Sequence, residues 1–155
     1  MIVLAIDPGV ERFGFAVLEK TQNTIRYIVS GIIVTKKTLT HTRRLGQIYT
    51  ELEPLLAKFR PKQIVLERLF FSKNVTTALA VAQAQGIVYL LAHQHDISVA
   101  EIAPNTIKSI VTGYGGADKK AVQKMLELQV DIPKKKRFDD EYDAIACGYA
   151  HLLLN

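Results

Sequence analysis

Four carboxylates stand at the edges of otherwise apolar segments: Asp7 ending IVLAIDPG, Glu67 inside QIVLERLFF, and Asp140 with Asp143 in FDDEYDAIACGYAH. A carboxylate held against hydrocarbon is costly unless a cation or a donor compensates it. If the four meet, each pair about 5 Å apart repels by roughly 3 kcal/mol at an effective dielectric of 20, and a divalent cation reverses that sign. Oxygen-only ligands suit hard Mg²⁺, with Mn²⁺ as a substitute, whereas zinc would want His or Cys. Two such ions about 3.5 to 4 Å apart activate a water and stabilise the leaving oxygen of an in-line displacement at phosphorus. That chemistry needs acids and no nucleophilic side chain.

Each acid has a plainer reading beside this one. Asp7 precedes Pro8 and Gly9, and all three types favour turns. Glu67 shares a strand face with Val65 and Leu69, so it interrupts an apolar row; a buried ion pair is the alternative. Asp140 and Asp143, three residues apart, lie on one helix face. Capping and dipole compensation explain Asp139 and Asp140 but explain Asp143 poorly, because it leads straight into AIACGYA. The GYGGADKK stretch either holds phosphate or is a loop with Lys119 and Lys120 in water, and its offsets are not those of a nucleotide P-loop. His93 and His95, at a helix end, read as a solvated pair.

The elements that must position these residues follow from periodicity. IVLAI, FGFAVLE and IRYIVSGIIV are three consecutive strands, expected as an antiparallel meander. Residues 40–59 repeat apolar side chains at helical spacing, Pro61 breaks the pattern, and QIVLERLFF resumes as a buried strand. Residues 75–92 contain no charge and surround a helix with apolar side chains. Such a helix is buried on two sides or lies in a membrane. Thr76, Thr77, Gln83, Gln85 and Gly86 make it a poor span, so one face is expected on the sheet and the other, including Val81 and Val88, against a second copy. ISVAEIAP gives a fifth strand, NTIKSIVTG a short helix, and further helices start near Asp118 and Asp139. Together they predict an α/β fold, a mixed sheet with helices on both faces.

At 155 residues the chain fits one domain, 1–155, with ample core. The single Cys147 excludes an internal disulfide and reads as a small core residue in a reducing compartment. The strand-like start without a basic leader makes the cytoplasm the expected location. A net charge of +5 favours polyanion partners. Positive charge concentrates at Arg43 and Arg44, at Lys119 and Lys120, and in the run from Lys134 to Arg137 that abuts the acidic pair.

Taken in order, IDPG, LExxFFSKN, AQAQGIV, APNTIKSIVTGYGGADK and DEYDAIACGYAH resemble the RuvC family of bacterial Holliday-junction resolvases, within the ribonuclease H and retroviral integrase-like superfamily. The match covers almost the whole chain. The resemblance implies a ribonuclease H-like, five-stranded mixed sheet and a homodimer. It implies Asp7, Glu67, Asp140 and Asp143 as the catalytic, Mg²⁺-binding tetrad. It implies Phe70 on junction bases, Lys108 and Lys119 on phosphate near the cut, and Lys73 and Asn74 as lesser DNA contacts. The implied activity is a crossover junction endodeoxyribonuclease of recombination and repair. It would act on four-way junction DNA by paired symmetric nicks, with branch-migration proteins as further candidate partners. The run from Lys134 to Arg137 is more basic than the family's pattern. A non-catalytic, structure-selective nucleic-acid-binding protein is the competing class. An actin-like sugar kinase or ATPase would need a longer, two-lobed chain.

Overall fold

A computed structural model describes residues 1–69 and 75–155. Strands β1 (Ile2–Asp7), β2 (Arg12–Thr21) and β3 (Thr24–Val34) form the expected antiparallel meander. Helix α1 (His41–Phe59) follows, started by Thr40, whose side chain accepts from the Arg43 amide, and ended by Arg60 in the left-handed region. Then come β4 (Gln63–Glu67), α2 (Val75–Gln94), β5 (Ser98–Ile102), α3 (Pro104–Thr112), α4 (Lys119–Gln129) and α5 (Asp139–Leu154). The sheet order is β3-β2-β1-β4-β5, with β4 parallel to both β1 and β5. It is a mixed, five-stranded sheet.

Strand alternation divides the core. Leu4 and Ile6 of β1 pack with Val17, with Ile48, Leu52 and Leu56 of α1, and with Ala84, Val88 and Leu91 of α2. Val3 and Ala5 face the other way with Ala16, Leu18 and Val65, under Ile107 and Val111 of α3, Leu126 of α4 and Ala144 to Leu152 of α5. Asp7 continues the Val3–Ala5 row and Glu67 the Val65 row, so both acids lean toward α5. The register supports this. Ile6 pairs with Leu66 across the parallel ladder, and Asp7 and Glu67 are the next residue on each strand.

Two glycines bring α5 against the sheet. A Cβ on Gly148 would stand 2.7 Å from Leu18 Cδ1 and 2.8 Å from the Ala5 Cβ, so the helix lies flush on β1 and β2. A Cβ on Gly14, the residue paired with Asp7, would stand 2.1 Å from the Asp140 carbonyl oxygen. Only a bare backbone permits that approach.

Two expectations need correction. Helix α2 is anchored on the sheet by Ala84, Val88 and Leu91, so Val88 is core and not part of an outer face. The outward stripe is Leu79, Ala82, Gln83, Gly86, Tyr89 and Leu90. The run from Lys134 to Arg137 is also less a free basic surface than its composition suggests. The Arg137 side chain is 1% exposed and, with Lys135, is paired to Glu141. Cys147 is fully buried. Among the described residues, no helix is long and apolar enough to cross a membrane.

Candidate active site

The four acids sit at the end of the sheet where β1 and β4 finish and α5 begins. Asp7, Glu67, Asp140 and Asp143 line one cleft of about 470 Å³, together with Lys108 of α3 and Lys119 of α4. Burial, followed by the negative charges of Asp143, Glu67 and Asp140, pushes the Asp7 carboxyl up to about 7, against the pull of Lys119. Burial and then Asp143 raise Glu67 as well, opposed by Lys119 and Lys108. The Cys147 thiol is driven well up by burial and then by Glu67 and Asp7, which places it in the apolar floor beneath these carboxylates.

Two cations compensate the outer acids. Lys119 Nζ donates to Asp143 Oδ2 at 2.8 Å and lies 3.8 Å from Asp139 Oδ2. Burial alone would lower the Lys119 ammonium, but its carboxylate neighbours, Asp143 foremost, raise it overall. Arg12 Nε lies 3.0 Å from Asp140 Oδ2, yet that oxygen is buried and makes no hydrogen bond, so the contact is an ion pair with a misdirected N–H. The Arg12 guanidinium also lies 5.6 Å from the centre of the Phe138 ring. Asp139 is exposed and is not part of the cleft lining.

The model of the family described as crossover junction endodeoxyribonuclease RuvC matches residues 3–151. The chain belongs to the RuvC family. A RuvC from Thermosipho melanesiensis is 42% identical over 149 residues, covering 96% of this chain and 95% of that protein. One from Pseudothermotoga lettingae is 40% identical over 151 residues, covering 97% and 93%. The solved structure of T. thermophilus RuvC in complex with Holliday junction substrate superimposes with a TM-score of 0.90 at 27% identity, covering 97% of this chain and 92% of that one.

The RuvC-type acids of this chain offer a divalent cation four carboxylates in one cleft. As the side chains stand, no three Asp, Glu, His or Cys among the described residues form a ready coordination group. Asp143 is engaged by Lys119 and Asp140 by Arg12. The chemistry of the set nonetheless fits. It is all oxygen, burial and then the neighbouring acids push its Asp7 carboxyl up to about 7, and it contains a buried oxygen without a hydrogen bond. With Lys119 and Arg12 released, Asp7, Glu67, Asp140 and Asp143 would be the residues to hold a hard ion.

Sequence reasoning reached the four acids, Lys108 and Lys119, and the structure brings all six to one cleft. Phe70, Lys73 and Asn74 lie outside the described residues. It missed Arg12, although the hairpin that returns from Asp7 into β2 was enough to place residue 12 near the site. It missed Arg68 and Val81 in the cleft lining. It also missed Glu141, which sits between the two helical acids and is 4% exposed; an acid flanked by Tyr and Asp gives no sign of burial.

Proposed function

We propose that this chain is a divalent-cation-dependent endonuclease that resolves four-way DNA junctions by hydrolysing phosphodiesters at this cleft. The observation that carries the proposal is the convergence of carboxylates from β1, β4 and α5, with Asp7 lifted to about 7 by burial and by the other three. Such repulsion serves no purpose in a protein that only binds DNA. It is the preparation a site needs if cations are to bind there.

Asp7, Glu67, Asp140 and Asp143 would hold Mg²⁺ or Mn²⁺, and the chemistry such ions supply is activation of a water and stabilisation of the departing oxygen. The chain's own residues do the rest. Asp7 and Glu67, at the ends of neighbouring parallel strands, keep a fixed separation because the ladder ends at Ile6 and Leu66. Lys119, displaced from Asp143, is free to meet a phosphate oxygen, and Lys108 adds positive charge to the same cleft. The apolar floor around Cys147 limits water beneath the acids.

The proposal extends to assembly. A junction has two strands to cut, and a two-fold dimer presents two such clefts; the outward stripe of α2, with Leu79 58%, Leu90 47% and Tyr89 41% exposed, supports pairing through that helix. Residues 1–155 act as one domain in this reading, in a cytoplasmic setting and alongside branch-migration proteins.

Cleavage of a synthetic four-way junction, with a linear duplex as control, tests the assignment. Asp7→Asn and Asp143→Asn are expected to lose at least a thousandfold in cleavage with Mg²⁺ while binding the junction within a few-fold of the parent. Full activity in either variant, or undiminished product in EDTA, contradicts it.

A further inference from the structure

Glu141 lies between two of the four cleft acids yet turns away from them into the protein. Its Oε1 accepts from the Ser30 hydroxyl of β3 at 2.6 Å and from Arg137 Nε at 3.1 Å, and Lys135 Nζ is 3.0 Å away. Arg137 is itself fixed: Nη1 donates to the Pro133 carbonyl at 2.7 Å, and the guanidinium lies 5.6 Å and 5.8 Å from the ring centres of Tyr27 and Tyr142. Ser30 is held in turn by Tyr27, whose hydroxyl accepts from the Ser30 amide at 2.8 Å. These groups tie the segment before α5 and the first turn of α5 to the far edge strand of the sheet.

The tie matters because of how α5 starts. Its cap residue, Phe138, supplies no side-chain hydrogen bond, so apart from the dipole compensation of Asp139, Asp140 and Glu141 the first turn is held by contacts with the rest of the fold. That turn carries Asp140, and the next begins with Asp143. We propose that Glu141, acting through Ser30 and Arg137, is a positioning residue that fixes where Asp140 and Asp143 stand relative to Asp7 and Glu67, and so sets the affinity for the divalent cation. This rests on the cleft being a cation-dependent nuclease site.

A residue that only stabilises the fold would lower the melting temperature and leave cation affinity unchanged. The test therefore measures Mn²⁺ binding without DNA, from the loss of the free-ion electron paramagnetic resonance signal. It also measures thermal melting, junction affinity in EDTA, and the Mg²⁺ concentration that half-saturates cleavage. Ser30→Ala removes the link to the sheet and keeps the Arg137 pair; Glu141→Ala removes both; Glu141→Gln keeps an acceptor for Ser30. Mn²⁺ affinity is expected to fall at least tenfold in Glu141→Ala and severalfold in Ser30→Ala, with partial recovery in Glu141→Gln and junction affinity within twofold throughout. If Glu141→Ala does not fold, Ser30→Ala and Glu141→Gln carry the comparison. Parental Mn²⁺ affinity and Mg²⁺ half-saturation in the folded variants, whatever their melting temperatures, overturn the inference. Cleavage surviving in Asp143→Asn would instead overturn the functional reading on which it rests.

Discussion

Asp7 combines two roles that pull against each other. Its carboxyl ordinarily titrates at 3.8 and is pushed up to about 7 in the folded chain, so the folded state resists its ionisation. A carboxyl raised in this way imposes no penalty below its unfolded value. The penalty grows as pH rises from about 4 and is complete above about 7. Asp7→Asn should therefore stabilise the protein in EDTA at pH 8 by about 1–3 kcal/mol and change little at pH 3.5, as urea denaturation at the two pH values will report. Equal effects at both would mean that neither burial nor the neighbouring acids raise the Asp7 carboxyl. The same value governs activity. At limiting Mg²⁺, proton and cation compete for Asp7, so cleavage should fall about tenfold per pH unit below pH 7, and raising Mg²⁺ should move the fall to lower pH.

At the scale of elements, the site depends on how closely α5 approaches β2. The missing Cβ of Gly14 lets the Asp140 carbonyl sit where a methyl would otherwise be. Gly14→Ala must move either the strand or the start of the helix. Overpacking of this kind costs about 1–3 kcal/mol, and a displacement near 1 Å at reacting groups costs on the order of a hundredfold in rate. Thermal melting and single-turnover cleavage should show a modest loss of stability beside a disproportionate loss of rate. A change in melting temperature without a change in rate would show that α5 tolerates the shift.

Across the whole molecule, α2 separates folding from assembly. Val88 is fully buried and Leu79 and Leu90 are exposed. Val88→Glu should destabilise the monomer, whereas Leu79→Glu or Leu90→Glu should leave melting within a few degrees and halve the solution mass measured by light scattering at micromolar concentration. An unchanged mass in both outer variants would remove α2 from the interface. The contrast shows what the chain's pattern conveyed. Period-two and period-3.6 hydrophobicity located all five strands and every main helix, and the strand-edge acids predicted their own cleft. Burial of one face of α2 rather than another depends on how it packs against the sheet and α1, which periodicity does not encode when apolar side chains surround the helix. Likewise Arg137 reads as surface charge until Tyr27 and Tyr142, more than a hundred residues apart in the chain, are both found beside its guanidinium.

The ladder between β1 and β4 has a further consequence. Side chains on a strand alternate, so the ladder counts in twos: sliding β4 by a single residue would bring Leu66 or Arg68 to the rung beside Asp7 and turn Glu67 into the hydrocarbon under α1 and α2. Length changes in the short connection after Phe59 therefore obey a parity rule. An even slip keeps an acid-bearing face toward the cleft, and an odd one inverts the strand and extinguishes the site without altering any of its residues.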